Sequence, residues 1–372
     1  MPHPRRSARP LRTAALACAC LGALAVAGCG DDQDAASTAT TTAATAPVAF
    51  QPIKTYLVDH TERLVAETAK LQRLAEGYHA AAKAVGFDHA RLLRDDRETV
   101  ARFVRDAQAT WKAANPAYEE AEGVVAGVPS LAHYDVDLDA GSSGETPEDA
   151  VSFDITLDDG KVLRKPGNFF FLTETALWGT EEAFVAKGVE ADLDGDGKVE
   201  FGEAVPDARF IKAVATAMAQ KATALDRDAK AWAPTKEDVF NAVVVMTPTM
   251  SEYFEAWKNS RFVAGDDADE SGFVGASRLS DIVDILSGLQ VVYAEISPLI
   301  AKEHAERAEQ TGRNLGELVS FVTDVRDREA RGERFSAEQA DSLGTNAQDQ
   351  AEAIAGQVSQ SAADLGIELE AQ

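Results

Sequence analysis

The apolar residues of this chain recur mainly at intervals of three, four and seven, the spacing of one face of an α-helix. A first stripe of this kind covers residues 50–78, and a second helical pattern covers residues 95–125. Further helices are predicted at residues 206–231, 236–263, 277–308, 310–331 and 337–365. Because no fixed short repeat accompanies these amphipathic helices, the pattern favours two packed four-helix bundles over a solenoid.

Residues 127–166 interrupt the helical pattern with a stretch rich in Gly, Asp and Pro. Within this insertion Phe153, Ile155 and Leu157 alternate with polar residues and lead into an Asp-Gly pair, which predicts a small β-hairpin. A helical pattern then resumes over residues 168–187. The predicted fold class is therefore all-α, with a hairpin inside an insertion.

The N-terminal segment differs from the rest in composition. Residues 1–28 combine a basic start with an apolar run and end in a small-residue site before Cys29, as in a lipoprotein signal peptide. We expect lipidation of the Cys29 sulfur; a plain signal peptide and a single-span anchor are the alternatives. The composition of residues 29–48 predicts a flexible tether. Residues 49–367 are expected to form the helical domain. The predicted location is the bacterial cell envelope, outside the cytoplasm, with a lipid anchor in the membrane.

Charge narrows the classes of function. The chain has 62 acidic and 36 basic residues, which gives a formal net charge of −26. Nucleic-acid binding needs clustered positive charge to replace the counterions on phosphate, so this balance excludes it. The acidity fits an extracytoplasmic protein kept soluble by like charge, or a protein that handles cations.

The sharpest motif is the acidic segment 192–203. A calcium loop of the EF-hand type needs carboxylates at positions 1, 3 and 5, glycine at 6, a backbone carbonyl at 7 and a bidentate glutamate at 12. These positions hold Asp192, Asp194, Asp196, Gly197, Lys198 and Glu203. With helical sequence on both sides, we expect a structural calcium site in which Lys198 contributes its carbonyl oxygen. The alternative is an acidic turn without a metal ion.

A second acidic loop fits this pattern less well. Its positions 1, 3 and 5 would be Asp267, Asp269 and Ser271, followed by glycine at position 6. Position 12 is Arg278, which cannot be a ligand. The favoured interpretation is an acidic loop that precedes the next helix.

A carboxylate is expected among aromatic side chains in the helix at 168–187. One face of this predicted helix carries six residues: Phe170, Phe171, Glu174, Leu177, Trp178 and Glu181. A carboxylate in such surroundings is costly unless it is paired, protonated or bound to a metal. Glu174 is therefore either a ligand in the bundle core or the partner of an arginine.

Two polar residues, His60 and Glu67, interrupt the first apolar stripe on the same face. A hydrogen-bonded core histidine and a carboxylate that reaches water are the plain interpretations, and ligands opposite Glu174 are the functional ones. The remaining histidines have no metal spacing. His-Glu-x-x-His, phosphate-binding glycine loops and Gly-x-Ser-x-Gly are absent, so no enzyme activity, and in particular no peptidase activity, is predicted.

Several segments resemble the imelysin family, which includes EfeO/EfeM-type iron-uptake lipoproteins. The family motif Gly-x-His-x-x-Glu, counted back from Trp178-Gly179, places its glutamate on Glu174 and its histidine on Phe171. Two further segments share the family's spacing: Trp111, Tyr118 and Glu122, and residues 277–293. The resemblance covers residues 50–365 and implies an all-α envelope lipoprotein, often tied to iron acquisition.

The resemblance leads to a functional prediction. A lipid-anchored binding protein would hold a cation or a small ligand between helices and pass it to an envelope transport partner. Its candidate ligand-binding residues are Glu174, Glu122, His60 and Glu67. With Phe171 at the histidine position the donors are carboxylates, which favour harder ions than imidazole does. The alternative is a structural or interaction lipoprotein that has lost the family's metal site.

Overall fold

The computed structural model describes residues 50–144, 150–189 and 191–369 of the chain. The predicted signal peptide, the tether and Cys29 lie outside the described residues. The described part begins with helix α1 (Gln51–Ala84), whose core face carries the predicted apolar stripe. Ile53, Leu57 and Leu64 on this face have no exposed surface, because the stripe packs against the neighbouring helices.

The chain continues almost entirely as helices. They are α2 (His89–Asp95), α3 (Arg97–Val125), α4 (Ala132–Asp135), α5 (Phe169–Trp178), α6 (Ala208–Ala231), α7 (Lys236–Met246), α8 (Met250–Asn259), α9 (Arg261–Ala264), α10 (Arg278–Ala330) and α11 (Ala337–Asp364). This composition confirms the all-α fold class.

The long helices pack as two groups of four. In the first group, α1 lies along α3 and α6, and the short α5 packs on α3 and α6. In the second group, α11 packs on α7, α8 and α10, and α10 also packs against α3. By length and composition alone α10 would pass as a membrane span, but half of its most apolar stretch is buried inside the protein, as in a core helix.

The insertion contains the predicted hairpin. Strands β1 (Asp154–Thr156) and β2 (Val162–Arg164) pair antiparallel, with Ile155 opposite Leu163. The Phe153 ring stacks on Phe169 at the start of α5, with ring centroids 4.1 Å apart. The hairpin therefore fixes the position of the helix that carries Glu174.

The predicted helix at 168–187 is shorter than its apolar pattern suggests. It ends at Trp178, because Gly179 adopts a φ of 79° and its N–H closes on the carbonyl of Thr175. A left-handed residue of this kind terminates a helix, and glycine adopts the conformation without a steric cost. The segment after residue 179 is therefore irregular, and Glu181 does not share a helix face with Glu174.

Two other boundaries differ from the prediction. The helix expected at 236–263 is divided by a 3-10 turn at Thr247–Thr249, where Pro248 has no N–H to donate to a continuous helix. The predicted break near residue 309 lies instead at His304, whose φ of −142° and ψ of 71° are not helical.

Candidate functional site

Three carboxyl groups meet between the two helix groups. Glu119 and Glu122 lie one turn apart on α3, so their side chains share a face. Asp139 comes from the π-helical turn Val136–Ala140 in the insertion. Oxygens of the three side chains lie within 4.8 Å of one another. In the described part of the chain, one other group of His, Cys, Asp or Glu side chains has this spacing: Asp192, Asp194 and Asp196.

One guanidinium faces the carboxyl groups. The Arg278 Nη2 atom lies 3.3 Å from Asp139 Oδ2, and Nη1 lies 3.2 Å from Asp281 Oδ2 and 3.7 Å from Glu119 Oε2. Burial alone would lower the pKa of Arg278, but Asp139, Glu119 and Asp281 outweigh it and raise the pKa well above its usual value. The guanidinium therefore stays charged, and it compensates only one negative charge.

Aromatic rings fix the guanidinium in place. The Arg278 Cζ atom lies 4.4 Å from the ring centroid of Tyr253 and 4.5 Å from that of Phe273. Such cation–π contacts are strongest where water is excluded. The Tyr253 hydroxyl also donates to Glu122 Oε1 over 2.9 Å, which makes this tyrosine part of the same polar cluster.

Two carboxyl groups of α3 have buried oxygens that lack a hydrogen-bond donor. Both oxygens of Glu119 and Oε2 of Glu122 are buried without a hydrogen-bond donor. Burial, and then the charges of Asp281 and Asp139, raises the pKa of Glu119 well above its usual range. Burial and the charge of Asp139 raise the pKa of Glu122 to about 7. Arg278 alone cannot compensate several buried carboxylates, and uncompensated buried charge is costly, so this cluster must hold either protons or a cation.

Glu174 has a different environment. Its Oε2 accepts the N–H of Phe273 over 2.7 Å, and its Oε1 accepts the N–H groups of Val274 and Gly275 over 2.9 and 2.8 Å. Burial nevertheless raises the pKa of Glu174 to about 7, against the lowering effect of these three donors. Glu174 therefore anchors the backbone of the loop formed by residues 268–277, rather than pairing with an arginine.

A cavity of about 450 Å³ lies beside Glu174 and reaches the carboxyl cluster through Asp139. Aromatic side chains form much of its wall: Trp111, Phe170, Phe171 and Phe273. Phe171 therefore lines the cavity at the position where the family motif has a histidine. The structure brings Glu174 and the cluster to one cavity, although Glu174 is not part of the group of three carboxyl groups.

His60 and Glu67 do not take part in this site. The Nε2 atom of His60 lies 2.6 Å from Glu120 Oε2, and its Nδ1 lies 2.7 Å from the carbonyl of Tyr56. Glu67 is half-buried, with Lys70 Nζ 3.6 Å from its Oε2. Neither His60 nor Glu67 lines the cavity beside Glu174, so these contacts do not support the expectation that either residue is a ligand opposite Glu174.

The acidic segment 192–203 closes on itself as a calcium loop does. The carboxylate of Asp192 accepts the N–H groups of Gly195 and Gly197 over 2.7 and 3.1 Å. The carboxylate of Glu203 reaches back to the N–H groups of Leu193 and Asp194 over 2.7 and 3.0 Å. No helix adjoins the loop directly, since α5 ends at residue 178 and α6 begins at residue 208. The oxygen donors fit a hard cation such as calcium, but the flanking helix–loop–helix frame is absent.

The second acidic loop, which begins at Asp267, makes hydrogen bonds and ion pairs with other parts of the protein. Its fifth position, Ser271, donates its hydroxyl to Glu181 over 2.7 Å, and its twelfth position, Arg278, belongs to the buried cluster. Its backbone N–H groups at residues 273–275 bind Glu174. The interpretation of this segment as a loop without a metal is consistent with these contacts.

Sequence reasoning missed Glu119, Asp139 and the role of Arg278. A pair of glutamates three residues apart on an otherwise apolar helix face is a signal that would have indicated the first of them. Asp139 lies in a Gly- and Asp-rich insertion, where a single acid carries no pattern. Arg278 was noted as the twelfth position of the second acidic loop and lies in the segment that resembles the EfeO-type helix, but neither observation indicated its charge role.

The sequence was compared with models of known families and with curated proteins. The sequence profile of the family described as Imelysin (Peptidase_M75) matches residues 52–358 of this chain. The match spans both helix groups, the insertion and the cavity. No curated protein matches the chain.

Proposed function

The chain belongs to the imelysin family, and we propose on that premise, together with the buried carboxyl cluster, that it captures a cation between its two helix groups. Glu119, Glu122 and Asp139 would be the ligands of a metal ion, and Arg278 would limit the total charge of the site. Glu174 would hold the neighbouring loop in place.

The observation that carries the proposal is the unsatisfied state of Glu119. This side chain has no exposed surface, and neither carboxylate oxygen has a hydrogen-bond donor. A bound cation would satisfy these oxygens together with Oε2 of Glu122. A protonated Glu119 could donate one hydrogen bond to Glu122, but that arrangement would still leave other acceptor positions empty.

The donor chemistry indicates the class of metal ion. Carboxylate oxygens without imidazole or thiolate favour hard cations over soft ones. Manganese and ferric iron are such ions, so the site agrees with a role in iron-type metal acquisition. The position of Phe171 excludes the imidazole that the family motif would add there.

Metal titration by calorimetry tests this function. The background would be the variant Asp192→Ala/Glu203→Ala, so that the acidic loop does not bind the probe, Mn²⁺. Glu119→Gln should abolish binding of one equivalent of Mn²⁺. Glu120→Gln is the matched control, because its carboxylate lies on the neighbouring face beside His60 and Arg63. Equal binding by the two variants would contradict the proposal.

The place of action follows from the N-terminal sequence. A chain lipidated at Cys29 would stay in the bacterial cell envelope on a tether and deliver its cation to an envelope transport partner. Mass spectrometry of the membrane fraction would detect the acyl groups on Cys29. Cys29→Ser should release the protein from that fraction.

We further propose that the acidic loop binds calcium as a structural ion. Asp192, Asp194 and Asp196 bring their oxygens within 4.8 Å of one another, while Lys198 would add its carbonyl and Glu203 its carboxylate. Calcium there would stabilise the irregular segment between α5 and α6. This metal would have no part in the capture of the ligand.

Binding rather than catalysis is the proposed activity, although the family profile bears a peptidase name. The polar groups around the cluster are carboxyls, one guanidinium, the phenols of Tyr118 and Tyr253, and the Asn115 amide, which donates to Asp281 over 2.8 Å. None of these pairs a nucleophile with a base in the manner that peptide hydrolysis requires. If Mn²⁺ does not bind, the structural or interaction role becomes the favoured function.

A further inference from the structure

The cavity beside the carboxyl cluster combines aromatic and acidic walls. Four aromatic rings line it: Trp111, Phe170, Phe171 and Phe273. Three carboxyl groups line it as well: Asp139, Glu174 and Glu270. Among the described residues of its wall there is no lysine, arginine or histidine. The Arg278 guanidinium lies behind the wall against Asp139 and Phe273, but the three carboxyl groups outnumber it, so the wall favours a positive charge. Its aromatic surface is apolar.

The cavity is larger than a metal ion alone requires. Its volume is about 450 Å³, which is about fifteen times the ~30 Å³ that one water molecule occupies in the liquid. Cavities of this size usually hold small organic molecules. Of the three proposed metal ligands only Asp139 lines this cavity, so a metal ion at the carboxyl cluster would leave its aromatic part unfilled.

The aromatic walls are fixed before any ligand arrives. A Cβ atom on Gly167 or on Gly272 would lie 3.3 Å from opposite edges of the Phe171 ring, so the two glycines allow close packing on both sides of it. Trp111 donates its Nε1 hydrogen to Thr173 Oγ1 over 3.1 Å. Rings held in this way need little ordering when a ligand binds, which favours affinity.

Three carboxylate oxygens in the wall already accept donors: both oxygens of Glu174 and one oxygen of Asp139. Glu174 accepts three backbone N–H groups, and Asp139 Oδ2 accepts from Arg278 Nη2 over 3.3 Å. A primary ammonium brings three N–H donors that need acceptors. A quaternary ammonium brings a positive charge and methyl groups but no donor, so it matches the aromatic faces of the wall beside Glu174, whose oxygens already accept three N–H groups.

We propose that this cavity binds a small quaternary ammonium compound, with its methyl groups against Trp111 and Phe171 and its charge near Glu174 and Asp139. The inference rests on the proposed capture of positively charged ligands at this site, but it does not depend on the metal ion. It assigns to the family site an organic ligand class that the carboxyl cluster alone would not indicate.

Calorimetry with a charged probe and its neutral analogue tests the inference on the full chain. The probes are choline and 3,3-dimethylbutan-1-ol, which has the same shape but carbon in place of the charged nitrogen. Choline should bind at least tenfold more tightly than the alcohol. Phe171→Leu keeps an apolar side chain of similar volume and removes one aromatic face. It should weaken choline binding about 5- to 30-fold, the effect of one desolvated cation–π contact.

A matched control and the metal probe separate the possible outcomes. Phe321→Leu changes a half-buried aromatic residue of α10 that does not line the cavity, and it should leave choline affinity unchanged. Equal affinity for choline and the alcohol, or equal effects of the two leucine variants, would overturn the inference. Absence of choline binding with Mn²⁺ binding intact would overturn this inference alone. Absence of both would overturn the proposed cation capture as well.

Discussion

The three hydrogen bonds to Glu174 make Glu174→Gln a sharp test of the site. The Glu174 carboxylate can accept all three backbone N–H groups of residues 273–275. A glutamine has one acceptor oxygen, which can serve Val274 and Gly275 as Oε1 does now. Its amide nitrogen would then face the N–H of Phe273, so two donors would oppose each other.

The expected loss follows from the orphaned donor. A buried N–H without a partner costs about 1–3 kcal/mol. If the cost falls on the loop of residues 268–277, the amide hydrogens of residues 273–275 should exchange about 5- to 150-fold faster through local opening. Sequence alone treats Glu174 as a ligand and predicts that the substitution spares stability. The observed contacts predict a loss of loop stability instead.

Hydrogen exchange followed by mass spectrometry measures this effect directly. The matched control is Glu181→Gln, because Glu181 accepts only the Ser271 hydroxyl from the same loop and is half-buried. Its exchange at residues 273–275 should change little. Unchanged protection of these amides in Glu174→Gln would refute the assignment of Glu174 as the anchor of the loop, whatever happens to ligand affinity.

Three further outcomes are expected. A calcium chelator should lower the melting temperature, and Asp192→Ala/Glu203→Ala should remove this response; calcium at a hundredfold excess over Kd would contribute about 2.7 kcal/mol. Gly288→Ala should destabilise by about 1–3 kcal/mol in urea unfolding, because its Cβ would lie 2.4 Å from a backbone carbonyl; Gly77→Ala has free space and should stabilise by about 0.5–1 kcal/mol. Burial raises the pKa of Asp284 from 3.8 to about 7, so the folded state binds more protons and the free energy of unfolding should fall as pH rises through this range. Asp284→Asn should flatten that fall between about pH 4 and pH 7, and an unchanged or steeper fall would contradict the assignment.

The helices were predictable because their burial is periodic. The stripe of α1 identifies its core face from sequence alone, since each position on it packs on α3 or α6. Helix ends were less predictable, because they depend on single residues. Gly179 stops α5 in a left-handed conformation, although the apolar pattern around it would permit a longer helix.

The site was less predictable than the fold, because its residues come from distant segments. Glu122 was identified only through the family spacing. The sequence around Glu119 does not distinguish a buried glutamate from one on an exposed helix surface. Its burial results from Arg278 on α10 and Asp139 in the insertion. No local pattern shows that these segments meet, so a sequence-based argument could place a carboxylate near the core without finding its partners.

The insertion is part of the candidate site, because its contacts hold both Asp139 and the start of α5 in place. Asp137 in the insertion accepts the hydroxyl of Ser152 and pairs with Lys221 on α6 over 2.6 Å, which anchors the turn that presents Asp139. Asn168, the N-cap of α5, donates to the carbonyls of Asp139 and Gly141. Through α5 the same frame reaches Glu174 and the loop of residues 268–277. A change in the insertion should therefore alter ligand selectivity, because it supplies both a carboxyl group of the cluster and one wall of the cavity.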